Sequence, residues 1–180
     1  KTALQTIILN QKVAGVELDA INKKKLLTVE EKLTKLSDNV KTNIIESTDQ
    51  WQFTTKSVEE LKGIPDSLLK TCETIENQQK TWNISLKDAH YITIMQNADN
   101  PNTRETFFKA HKARASDLSK DPSFDNSKNI ENILKTRTEK AKLLGFNDYI
   151  EYALQTRAAA NKTEITSLLN QLKQKAAPKA

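Results

Sequence analysis

The chain has 180 residues, enough for one domain or one lobe of something larger. It is polar, with 37% hydrophobic and 6% aromatic residues, so its core is thin and mostly aliphatic. Three glycines and four prolines are too few for the frequent turns of an all-β fold, and the balance points to long helices with short connections.

In chain order, Leu4, Ile7, Ile8 and Val13 predict a helix over residues 3–14 that stops at Gly15. Leu18, Ile21, Leu26, Leu27, Val29, Leu33, Leu36, Val40, Ile44 and Ile45 then recur mostly three and four apart. They form one apolar stripe on a helix from about Asp19 to Asp49. Such a helix cannot bury its stripe alone, so a helical hairpin partner is expected. Trp51-Gln-Phe-Thr-Thr55 alternates and reads as a strand. Ser57 and Glu60 have the spacing of a capping box opening a short helix that ends at Gly63. Pro65-Asp66-Ser67 opens another helix, expected to run to about Asn77. Trp82 to Leu86 alternates again and is expected to pair antiparallel with residues 51–55, giving a two-stranded ribbon that must pack on helices.

Asp88 is expected to cap a helix at 89–97, and Asn102 or Thr103 the next, which runs to Ala115. Residues 116–128 read as a polar loop around Pro122. A helix follows over 129–144 with Ile130, Ile133, Leu134, Ala141 and Leu144 on one face, stopping at Gly145. Tyr149, Tyr152 and Leu154 mark a further helix, and a last one starts near Thr163. The expected fold class is therefore mainly α: a multi-helix lobe with a long helical hairpin and a small two-stranded antiparallel ribbon. Both chain ends, Lys1 and Ala180, sit close to helical patterns and look cut.

The net charge of +5 and pI near 9.2 would suit an anionic partner. The lysines, however, are interleaved with acids. The densest run, Lys23-Lys24-Lys25, is soon followed by Glu30 and Glu31, the pattern of a solvated helix face. Cys72 is the single cysteine, which excludes an intrachain disulfide and fits a reducing compartment. The apolar run Ile7-Ile8-Leu9 falls far short of a membrane span of about 20 residues, and no signal-peptide pattern is visible.

Catalytic groups are sparse. His90 and His111 do not form H-E-x-x-H, whose two imidazoles stand one helical turn apart to face one zinc. Cys72 has no basic or histidine neighbour in sequence and reads as an inert structural thiol. Asp121, Asp125 and Asn126 lack calcium-loop spacing and read as a solvated loop. Asn83 and Asn161 open N-glycosylation triplets, which matter only in a secreted protein. Trp51 and Trp82 have the faces to stack bases, but they suit packing of the ribbon better. No complete catalytic constellation is present, and no catalytic, cofactor-binding or metal-binding residue is assigned.

The order of short motifs is more specific. Leu33-Thr-Lys-Leu-Ser37, Asp38-Asn-Val40 and Ser47-Thr-Asp-Gln-Trp51 are followed by Glu60-Leu-Lys-Gly-Ile-Pro65 and by Trp82 to Leu86. Then come Met95, Ala98-Asp99-Asn100, Arg104-Glu105, Ala113-Arg-Ala-Ser116, Asn129 to Leu134, Arg137, Ala141, Leu143-Leu-Gly-Phe146 and Tyr149. From about Leu9 to Ala180 this series resembles the N-terminal helical region of the thimet oligopeptidase and oligopeptidase A family of zinc metallopeptidases. His111, where the family often has an aromatic residue, and Arg157-Ala-Ala159 depart from the pattern.

The resemblance implies a two-lobed, largely helical enzyme that cuts short peptides in a deep channel, with zinc held by H-E-x-x-H and a distant glutamate. Those residues would lie beyond Ala180. The expectation is that residues 1–180 are the non-catalytic N-terminal domain, forming one channel wall. The parent protein would be a cytoplasmic zinc metalloendopeptidase, acting on short peptides and not on nucleic acid or membranes. The fragment alone would be inactive and bind no zinc. The alternative from the residues themselves is a stand-alone basic helical module binding a peptide, protein or nucleic acid.

Overall fold

A computed structural model describes residues 3–76, 78–119 and 121–179. It is mainly helical, with α1 Ala3–Val13, α2 Ala20–Gln50, α3 Asp66–Cys72, α4 Asp88–Asn97, α5 Pro101–Ala113, α6 Ser127–Leu143, α7 Tyr149–Leu154 and α8 Lys162–Ala176. Three strands, β1 Gln52–Thr55, β2 Glu73–Glu76 and β3 Gln79–Ser85, form one antiparallel sheet in the order β1-β3-β2. The chain divides into two compact units, Ser37–Ile130 and the residues on either side of that segment.

In the flanking unit, α1 ends as the glycine predicts. Gly15 has φ 82, its N–H donates to Lys12 O, and the Val16 N–H donates to Gln11 O. This paired pattern satisfies carbonyls that a helix end otherwise leaves open. Asp19 then caps α2, its Oδ1 accepting from the N–H groups of Ile21 and Asn22, both at 2.9 Å. Leu26 and Val29 of α2 are buried, as are Thr136 and Ala141 of α6. Lys140 Nζ donates to Glu30 Oε1 at 2.8 Å and stands over the Tyr152 ring. Burial opposes the Lys140 charge, but the hydrogen bond to Glu30 and the neighbouring Tyr152 hold its pKa above the ordinary lysine value. α6 closes at Gly145, φ 85, with the same pair of terminal bonds as α1. Asp148 caps α7 and Asn161 caps α8, and in each case a glutamate three residues on reaches back to a backbone N–H.

In the central unit, β1 and β3 pair as expected, with Gln52 opposite Ser85 and Thr55 opposite Trp82. The sheet differs from the expected two-stranded ribbon. The helix from Pro65 stops at Cys72, and Glu73–Glu76 pairs with Gln79–Trp82 as a third strand. Glu73-Thr-Ile-Glu76 carries two β-branched residues, and the free edge of β3 supplies the partner that makes them a strand. The end of that expected helix, Asn77, lies outside the described residues.

Four local expectations also change. Asp88 is not a cap: it is the first residue of α4, and the cap position is Lys87, which makes no side-chain cap bond. Ser57 and Glu60 do not form a capping box. Thr55 Oγ1 instead donates to the Glu60 carboxylate and accepts from the Ser57 N–H at 3.0 Å, and the short helix is one 3-10 turn, Glu59–Leu61. Asn100, not Asn102 or Thr103, caps α5, accepting from the Asn102 N–H with Pro101 in the first turn. Asn126 is buried rather than solvated. Its side chain donates to Val40 O and accepts from Asn43 and Asn129.

The core of this unit is Leu61, Ile64, Cys72, Trp82, Ile84, Leu86, Ile94, Ala98 and Phe107. Phe107 is wholly buried, its ring centroid 5.0 Å from Trp51 and 5.4 Å from Phe53. Both tryptophans thus pack the sheet, as their alternating strands predict.

Candidate functional site

A group of ionisable side chains in the central unit joins the first turn of α4 to the end of α5. Asp88 lies one turn before Tyr91 on α4, and His111 and Arg114 share a face at the end of α5. His111 Nε2 and Arg114 Nη1 each stand 3.4 Å from Asp88 Oδ1. The Tyr91 and His111 rings are stacked, with centroids 3.8 Å apart and planes at 10°. The His111 side chain is 15% exposed, whereas Asp88 is 76% exposed. His111 Nδ1 is buried with no hydrogen-bond partner among the described residues.

The electrostatics follow from this layout. Burial pushes the His111 pKa below the ordinary histidine value; the Asp88 hydrogen bond works against that shift, and the positive Arg114 and Lys112 reinforce it. The hydrogen bonds from His111 and Arg114 hold the Asp88 carboxyl below the usual carboxylate range. The group has an acid, a base and a cation, yet Asp88 is tied to two donors and His111 to an aromatic face. Its contacts tie the first turn of α4 to the end of α5.

The other residues singled out by sequence are dispersed. His90 Nδ1 lies 2.9 Å from Ser85 Oγ. Cys72 is buried in the core, its Sγ 3.8 Å from Thr71 Oγ1. Asp121 and Asp125 accept from the backbone N–H groups of Ser123 and Ser127, so each carboxylate closes a turn. Asn161 caps α8, and Asn83 donates to Thr74 and accepts from Thr54 within the sheet. Lys25 borders an open groove of about 540 Å³ with Lys135, Thr138, Glu139, Lys142 and Leu143, where Lys135 is already paired with Glu131 at 2.5 Å. Among the described residues, no three histidine, cysteine, aspartate or glutamate side chains come together to hold a metal ion.

The motif series has a structural role instead. Gly63, φ 83, lies so close to Asn97 O and the Asp99 carboxylate that a Cβ would stand 2.2 Å and 2.8 Å from them. The Asp99 N–H donates to Lys62 O, and Thr103 Oγ1 donates to Glu60 O. Arg104 Nη1 donates to the carbonyls of Ala98 and Asp99. Glu60-Leu-Lys-Gly-Ile-Pro65 and Ala98-Asp99-Asn100 therefore meet in one joint locked by Arg104. Ala115, φ 52, is held similarly, its N–H donating to Ser47 Oγ and its carbonyl accepting from the Asn126 N–H. The Asp88–His111 tie and the burial of Asn126 went unread in sequence, since each joins residues far apart along the chain.

Residues 94–180 match the family model described as Peptidase family M3. Oligopeptidase A of Haemophilus influenzae is 29% identical across 99% of this chain, which spans 27% of that protein. Probable cytosolic oligopeptidase A of Arabidopsis thaliana is 31% identical across 82% of the chain and 22% of its own length. Saccharolysin of Saccharomyces cerevisiae is 31% identical across 92% of the chain and 22% of its own length. The chain thus spans about a quarter of the curated relatives it matches. It is a relative of the oligopeptidases of peptidase family M3, corresponding to the N-terminal part of that family.

Proposed function

We propose that residues 1–180 are the non-catalytic N-terminal domain of a zinc-dependent oligopeptidase. In this reading the whole protein hydrolyses short peptides in the cytoplasm, and this domain forms one wall of the substrate channel. The observation that carries the reading is similarity to an oligopeptidase along 99% of the chain, which spans 27% of that relative. The name of the cytosolic plant relative supports the location. No helix among the described residues is long and apolar enough to cross a membrane. The alternative of a stand-alone basic binding module draws only on the net charge of +5, and neither nucleic acid nor membrane is proposed as a partner.

Among the described residues, the two histidines do not converge on a zinc site. His90 faces Ser85 and His111 faces Asp88 and Tyr91, so the two imidazoles serve separate contacts. The proposal therefore assigns the ligands to residues outside this chain. A zinc ion held there would supply a Lewis acid for peptide hydrolysis. This domain contributes shape: a channel wall that limits the length and folding of the peptides admitted.

The test is turnover of a quenched oligopeptide by the full-length protein and by residues 1–180 alone. Chelator-sensitive turnover by the full-length protein and none by the fragment, with or without added zinc, is the expected result. Turnover by the fragment, or a full-length protein without peptidase activity, would refute the proposal.

A further inference from the structure

The tie between α4 and α5 has an asymmetry that bears on pH. In the neutral imidazole, the Nε2–H of His111 donates to Asp88 and Nδ1 carries only a lone pair. Protonation adds an N–H at Nδ1. That atom is buried and has no acceptor among the described residues, and a buried unsatisfied donor is costly. We propose that Asp88, Tyr91, His111 and Arg114 form an acid-sensitive latch, closed while His111 is neutral and released when its buried Nδ1 takes up a proton.

The charged groups acting on His111 come from both helices. From α4, Asp88 attracts an imidazolium, but it is mostly solvated and already shared with Arg114. Tyr91 presents its ring face, which attracts a cation only if the stack survives. From α5 and its end, Lys112 and Arg114 both repel an imidazolium. Lys87, before Asp88, is held by Asp49 at 3.6 Å. Desolvation and the two repulsive cations outweigh one exposed carboxylate, so the closed latch prefers neutral His111.

The sign follows from linkage. With the folded-state pKa below the ordinary value near 6.5, the open state binds the proton more readily. The latch is at full strength above pH 6.5 and weakens as pH falls through the window beneath. Within that window the opening equilibrium rises by up to about tenfold for each pH unit lost. Its effect is local: the first turn of α4 separates from the last turn of α5.

Hydrogen–deuterium exchange by mass spectrometry on the full-length protein tests this. Peptides spanning α4 and α5 are compared at pH 7.5 and pH 5, after correction for intrinsic exchange. The expected result is a loss of protection in those peptides at pH 5, absent in His111→Phe, which keeps a ring against Tyr91 without a titrating nitrogen. His111→Gln serves as a second non-titrating variant should Phe disturb the fold. Equal protection at both pH values in the wild type, or the same acid loss in the non-titrating variants, would overturn the latch.

Discussion

Gly63 shows how one residue fixes a joint. Its φ of 83 lies in the left-handed region, and a Cβ there would stand 2.2 Å from the Asn97 carbonyl oxygen, backbone that has no rotamer with which to move away. Gly145 has φ 85 but open space around its Cβ position. Gly145→Ala meets only the left-handed penalty, about 1 kcal/mol. Gly63→Ala adds overpacking and is expected to cost about 2–4 kcal/mol. Urea denaturation followed by tryptophan fluorescence reads the Gly63 variant directly, because Trp51 and Trp82 lie in the same unit. Circular dichroism reads the Gly145 variant. Equal losses would show that the close approach at Gly63 contributes nothing. The glycines were the most legible residues in the sequence, since all three stops fall where they stand. Asn126 was the least legible: its polarity suggested a loop exposed to water, and only Asn43, Val40 and Asn129 explain its burial.

Among the elements, helix periodicity and the alternation of β1 and β3 carried the assignment, and β2 escaped it. α2 follows its apolar stripe within a residue at each end because Asp19 caps its start. The helix expected from Pro65 to about Asn77 overruns β2, whose strand character comes from pairing with β3. The sheet is anchored by α5 through Phe107, which touches Trp51 beside β1 and Phe53 within it. Phe107→Ala is expected to destabilise the central unit by about 3–5 kcal/mol. A shift in the urea midpoint with an unchanged slope is the expected readout. A loss under about 1 kcal/mol would mean the site collapses around the cavity. The Asp88–His111 tie was invisible to element-level reading, because periodicity places each residue on its own helix and does not say which helix faces meet.

At the scale of the whole molecule, the motif series and the chemistry separate. Gly63-Ile-Pro65, Ala98-Asp99-Asn100 and Arg104 build a joint, and Ala113-Arg-Ala-Ser116 holds Ala115 against Ser47 and Asn126. These residues of the motif series shape the fold, so kinship was legible in the turns and joints of the sequence. If the proposed function holds, neither histidine of this chain is a zinc ligand. Zinc content per chain of the full-length His90→Asn/His111→Phe double variant, measured at pH 7.5, tests it most directly. The expected result is the same zinc stoichiometry as the wild type and retained peptide turnover; loss of the metal from a folded double variant would make at least one of these histidines a ligand.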